Sequence, residues 1–167
     1  MNVLGFKETL ADPSIVLLDD VLTVEVPPLH GMVVLKFISW SDRPEVRVSD
    51  LGDIYRIVKH YYDVVGEGIF DEYVDLLDTE PFDEKLIAAR IMGRRIAPIL
   101  EKSVKLKDRV MTVIHENSTE TEKSSIGKYW ASTYGIELTY AIDILLSIKQ
   151  GIEDNRQDAR VYSGNQE

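Results

Sequence analysis

The chain has 167 residues, 44% hydrophobic and 29% charged, which is enough apolar material for a buried core and excludes a chain disordered throughout. Its 29 Asp and Glu outnumber its 19 Lys and Arg, giving a formal net charge of -10 and arguing against a basic nucleic-acid-binding module. There is no Cys, so disulfides, a thiol nucleophile and Cys-ligated metal centres are excluded.

The N-terminal Met1-Asn2-Val3-Leu4-Gly5-Phe6-Lys7-Glu8 lacks a basic stretch leading into a long apolar run, so no signal peptide is expected. No segment approaches the roughly 18 consecutive apolar residues of a membrane span. The expectation is a soluble cytoplasmic protein with no membrane partner. The sequon at Asn117 would then carry no sugar.

Ile15–Asp19 and Leu22–Val26 are rich in β-branched residues, and the second alternates. A short hairpin is predicted, ended by Pro27-Pro28. Leu29–Trp40 reads as a helix apolar almost all round, hence buried. Arg43-Pro44 breaks it. Ser49 is a candidate N-cap for a helix over about Asp50–Asp63, with Leu51, Ile54, Val58 and Tyr61 as its core stripe. Gly66 and Gly68 mark a turn before a short helix over about Ile69–Leu77. A longer helix, about Phe82–Lys102, carries Ala88, Met92, Ile96 and Ile99 on one face, and Pro98 should kink it or end it early. Val104–Asn117 is helical, Asn117–Ser125 a polar loop, and about Gly135–Ile152 a helix carrying Leu138, Ile142, Leu145 and Ile148. The fold class is mainly α with a small N-terminal β-hairpin. The predicted division is residues 1–28 as a β element, 29–153 as a helical domain and 154–167 as a flexible tail.

The charge is uneven. Asp63–Glu84 holds nine acidic residues and no basic one, whereas Lys85–Val110 holds eight basic residues against Glu101 and Asp108. Two helical segments with solvated faces of opposite sign, packed side by side, are expected. A weaker reading places RNA on Arg90, Arg94 and Arg95.

His30, His60 and His115 show no metal-ligand spacing, and there is no Gly-rich phosphate loop or nucleophile elbow. The distinctive stretch runs from Leu35 to Ile54. Lys36 sits among Leu29, Met32, Val33, Ser39 and Trp40 at helical spacing. A buried ammonium there is costly unless it snorkels to water or meets an anion, whether a phosphate or a carboxylate. Arg43, Arg47, Asp50 and Asp53 follow. Asp50 and Asp53 share a helix face. They either stabilise the helix start, by about 0.3–1 kcal/mol each, or supply a base or a cation support held by Arg47.

Lys36, Arg43, Arg47, Asp50 and Asp53 spell K-x6-R-x3-R-x2-D-x2-D. In the context of Val26–Lys36 and Asp53–Val58, this resembles a block in the second half of bacterial nucleotidyltransferase-like proteins related to the AbiE-type toxins. The resemblance covers about residues 1–115. It implies the helical C-terminal part of an α+β fold and transfer of a nucleotidyl group from an NTP with Mg²⁺. It also implies Lys36, Arg43 and Arg47 at the nucleotide phosphates, with Asp50 or Asp53 as base or support. The family's Gly-Ser and Asp-x-Asp motifs, which hold the metal, do not occur in this sequence. Residue 1 therefore reads as an entry into the middle of the fold, as in a truncated, split or degenerate protein. Such a chain is inactive alone, and a partner or further segment must supply the metal site. The alternative function is a non-catalytic helical interaction or scaffold module, including a homo-oligomer.

Overall fold

The computed structural model describes residues 4–19 and 21–154. Among them the elements run α1 (Phe6–Thr9), β1 (Ser14–Leu18), β2 (Leu22–Val26), α2 (Leu29–Asp42), α3 (Val48–Val65), α4 (Gly68–Glu72), α5 (Glu84–Leu100), α6 (Val104–Ser118), α7 (Ser125–Tyr134) and α8 (Leu138–Glu153). The fold is thus mainly helical with one antiparallel hairpin, in the register Ser14↔Val26 to Leu18↔Leu22. No described helix is long and apolar enough to cross a membrane.

Helix α5 lies at the centre and packs chiefly against α8, with α3 on another side. The predicted stripes are the buried ones. Leu51, Ile54, Val58 and Tyr61 of α3, and Ala88, Met92, Ile96 and Ile99 of α5, all enter the core. Each large side chain so buried contributes about 1.5–3 kcal/mol relative to exposure. The α5–α8 approach is closer than side chains permit. A Cβ on Gly93 would collide with the carbonyl oxygen of Ile148, and one on Gly151 with that of Arg90.

Several boundaries differ from expectation, each for a local reason. Helix α3 starts at Val48 with Arg47 at its N-cap, not at Ser49. Helix α5 starts at Glu84 because Asp83 caps it, accepting from the Lys85 and Leu86 amides at 2.9 Å each. It runs through Pro98 to Leu100. So near the end, the missing proline N–H costs a single intrahelical bond. The acidic stretch does not form one helix beside a basic one. It is divided among the end of α3, the short α4 and a 3-10 turn over Val74–Leu76. Its described ion pair to the basic stretch joins Asp75 to Arg94.

Helix α7 occupies a segment where no element is predicted. Ser124 caps it, accepting from the Gly127 amide at 2.8 Å. Ile126 and Trp130 are buried. Asp154, the first residue of the predicted tail, belongs to the folded body. It caps α8 and accepts from Arg90 at 2.9 and 3.0 Å. The rest of that tail, 155–167, lies outside the described residues.

At the start of α2, His30 Nδ1 lies 3.4 Å from the Tyr61 hydroxyl. Burial, followed by the Arg95 guanidinium, pushes its pKa down from 6.5 to about 4, with Asp12 opposing weakly. The neutral imidazole is therefore the form the fold prefers. The folded pKa lies below the unfolded one, so His30 has no effect above pH 6.5 and costs stability as pH falls from 6.5 toward 4.

Two outcomes follow for denaturation in urea. Gly93→Ala and Gly151→Ala each lose about 3 kcal/mol or more by forcing the helices apart. Gly68→Ala, whose Cβ would meet only Val65 Cγ1 at 3.8 Å, changes little. The wild type loses stability between pH 6.5 and 4, and His30→Gln removes much of that loss.

Candidate functional site

Helix α2 directs Lys36 toward the first turns of α3. The ammonium lies 3.2 Å from Asp50 Oδ1 and 2.6 Å from Asp53 Oδ2. Asp50 also accepts from Arg47 Nε at 2.8 Å, and Asp53 from Arg56 Nη1 at 2.7 Å. The result is a chain of alternating charge, Arg47–Asp50–Lys36–Asp53–Arg56. Asp50 is its most buried member, at 3% exposure. Lys36 thus meets an anion, and that anion is a pair of carboxylates from its own chain. Burial pulls the ammonium toward neutrality. The hydrogen bonds to Asp53 and Asp50 outweigh that pull and leave the Lys36 pKa raised. Lys36 is a fixed cation, not a base.

The first turns of α3 are held from behind by α7. Trp130 Nε1 donates to the Leu51 carbonyl at 2.7 Å, and the Tyr134 hydroxyl to the Gly52 carbonyl at 3.1 Å. The Tyr134 ring stacks on Tyr55 at 4.0 Å between centroids. These contacts immobilise the segment that presents Asp50 and Asp53.

Next to this chain, a cleft of about 830 Å³ opens between the C-terminal end of α2 and the N-terminal half of α6. From α2 come Ile38, Ser39 and Asp42, followed by Arg43 and Arg47. From α6 come Lys105, Asp108, Arg109 and Thr112, all on one helix face at i, i+3, i+4 and i+7. The lining carries four cations, Arg43, Arg47, Lys105 and Arg109, against two carboxylates, Asp42 and Asp108. Arg109 binds Asp42 at 3.1 Å and donates to Ser41 Oγ and its carbonyl, each at 3.2 Å. Arg47 spends only its Nε on Asp50. Arg43 and Lys105 form no salt bridge among the described residues.

All five predicted site residues therefore gather at one end of the molecule, in two roles. Lys36, Asp50 and Asp53 satisfy one another, while Arg43 and Arg47 face the cleft. Sequence reasoning missed Lys105 and Arg109 as lining residues, along with Arg56, Trp130 and Tyr134. The spacing of Lys105, Arg109 and Thr112 on one α6 face was the available signal for the first two. The three arginines proposed for RNA have internal partners. Arg90 and Arg94 bind Asp154, Arg94 also binds Asp75, and Arg95 donates to the Tyr73 hydroxyl at 2.9 Å.

A direct check on the charge chain is Asp50→Ala. It leaves Lys36 with Asp53 as its remaining partner and Arg47, about half exposed, without its carboxylate. It should cost about 1.5–3 kcal/mol in chemical denaturation. In a double-mutant cycle with Lys36→Met, a large coupling energy is expected. Compared with family models, characterised proteins and solved structures, the chain gave no match.

Proposed function

We propose that this chain binds the phosphates of a nucleoside triphosphate in the α2–α6 cleft, as the nucleotide-side part of a nucleotidyltransferase-like protein. The observation that carries this reading is the pair Arg43 and Lys105. Both line an open cleft and lack a salt bridge among the described residues. Arg47 and Arg109 stand beside them with guanidinium N–H groups to spare. Charge-assisted bonds from several such donors suit a phosphate chain. The cleft volume, about 830 Å³, falls within the range of small-molecule sites. Its apolar side, with Leu4 and Ile38, offers surface to the rest of the nucleotide.

In this reading Arg43, Arg47, Lys105 and Arg109 contact the phosphates. Asp50 and Asp53 are supports that orient Arg47 and Lys36. They do not suit Mg²⁺, because their oxygens already accept from Lys36, Arg47 and Arg56. No group of three or more metal-ligating side chains occurs among the described residues. Transfer chemistry would need metal carboxylates from another polypeptide segment, and the chain alone would bind without reacting.

The second reading is a non-catalytic interaction module. It is favoured by the hairpin, whose apolar side chains stand in solvent. Calorimetric titration with ATP and with inorganic tripolyphosphate separates the two. Binding of both is expected, weakening as salt rises. The double variant Arg43→Ala/Lys105→Ala should lose tenfold or more in affinity, about 1.4 kcal/mol per factor of ten. No binding, or binding that this variant leaves unchanged, rejects the nucleotide reading.

A further inference from the structure

The charges that line the α2–α6 cleft are partly matched from within. Of its four cations, Arg47 is paired with Asp50 and Arg109 with Asp42. Of its two carboxylates, Asp42 is the one that Arg109 binds. Asp108 lines the same cleft and forms no salt bridge among the described residues. It is exposed, so its oxygens are open to a ligand. Arg43 and Lys105 thus share the cleft with one carboxylate that has no cation of its own.

A phosphate chain does not account for that carboxylate. An anion close to a bound phosphate repels it, and a cleft that held only inorganic anions would bind them better without Asp108. A carboxylate offers acceptor oxygens and no donor. It favours binding only of a ligand that carries hydrogen-bond donors beside its phosphates.

Position narrows the choice of donor. Lys105 and Asp108 lie three residues apart on one face of α6, about 4.5 Å along the axis at 1.5 Å per residue. The donors then belong to the group attached next to a phosphate. In a nucleotide that group is the sugar, and the vicinal hydroxyls of ribose can meet the two oxygens of one carboxylate. A carboxylate holds ribose in this way in dinucleotide-binding folds. The flat faces of a base call for apolar surface instead. Leu4 and Ile38 supply it, and neither belongs to α6.

We infer that Asp108 is a specificity-determining residue of this cleft, accepting hydrogen bonds from the ribose hydroxyls of a nucleotide whose phosphates Arg43 and Lys105 hold. The inference rests on the phosphate reading of the cleft and narrows its ligand to ribonucleotides, over deoxyribonucleotides and inorganic polyphosphates. It also gives the removal of Asp108 two opposite signs. A ligand with ribose loses an acceptor, whereas a bare polyphosphate loses a repelling charge.

Calorimetric titration of the full chain, without Mg²⁺ and at one salt concentration, reads this with three probes: ATP, 2′-deoxy-ATP and tripolyphosphate. The wild type should bind ATP about tenfold more tightly than 2′-deoxy-ATP, as one hydrogen bond to a charged group implies. Asp108→Ala should weaken ATP until the two nucleotides bind alike, and should strengthen tripolyphosphate. Far-ultraviolet circular dichroism should stay that of the folded protein, since Asp108 is exposed. Glu101→Ala, which removes the same charge outside the cleft lining, should leave the preference for ATP over 2′-deoxy-ATP unchanged. Equal binding of ATP and 2′-deoxy-ATP by the wild type overturns the inference. So does an Asp108→Ala variant that binds ATP and tripolyphosphate both more tightly, because the carboxylate then only repels. In either case tripolyphosphate still binds and the phosphate reading stands. If none of the three probes binds, that reading fails and this inference with it.

Discussion

The contact of α5 with α8 at Gly93 and Gly151 is the constraint on which the other helices depend. At both positions the space of a side chain is taken by a carbonyl oxygen of the facing helix. Backbones this close leave no room for a poorly fitted layer between them. Ala88, Ala89, Met92 and Ile96 must therefore interlock with Ile144, Leu145, Ile148 and Ile152, all of which are buried. The approach also brings the end of α8 onto α5, so that Asp154 lies between Arg90 and Arg94. Burial pushes the Asp154 carboxyl upward. Hydrogen bonds from Arg90 and Arg94 more than offset this and hold it below the usual carboxylate range. The end of α8 is thus fixed by charge as well as by packing, and through Arg94 the same cluster reaches Asp75.

The charge chain at Lys36 comes after this packing rather than before it. Helices α3 and α8 lie on α5, and α7 lies on α8 and α3. With α7 in place, Trp130 and Tyr134 hold the carbonyls of Leu51 and Gly52, and that sets the direction in which Asp50 and Asp53 project. Burying a set of charges rarely adds net stability, because desolvation offsets most of the attraction. What the chain does supply is orientation. It holds the Arg47 guanidinium by its Nε alone, in a residue that lines the cleft.

Much of the helical order could be read from spacing. The α3 and α5 stripes recur every three or four residues, which is the period a helix needs to bury one face. The Leu29–Trp40 run announced a buried helix by being apolar nearly all round. Helix α7 was not legible in this way. Its large buried side chains, Ile126 and Trp130, are few, and its hydrogen bonds to α3, the Tyr134–Tyr55 stack and its packing on α8 all depend on tertiary position. Its clearest local signs were Ser124 ahead of it and Gly135 behind it. The gathering of Lys36, Arg47, Asp50 and Asp53 was visible as an unusual lysine followed by carboxylates. That Lys36 would be neutralised from within was not. Phosphate and carboxylate satisfy an ammonium equally well on paper, and only the α2–α3 packing decides which one is in reach. Lys105 and Arg109 lie more than fifty positions from Arg47, and nothing local says that α6 returns to α2.

This division of roles gives the overall charge a sharper meaning. A net charge of -10 repels a long polyanion, whose phosphates run past many acidic groups at once. Its effect on a short one differs, because exposed charges separated by more than about 8 Å are largely screened at physiological ionic strength. The lining of the α2–α6 cleft has four cations and two carboxylates; one of those carboxylates is already bound by Arg109, and Arg47 is bound by Asp50 behind it. Lys36 adds little there, since two carboxylates flank it and an approaching phosphate would meet them too. Arg43 and Lys105 carry no such shield. A compact anion gains from both, whereas an extended one pays repulsion along the acidic segment from Asp63 to Glu84 for the same local gain. On the proposed reading of the cleft, the charge distribution favours a compact phosphate ligand over nucleic acid, a preference that neither the total charge nor the Lys36 motif implies alone.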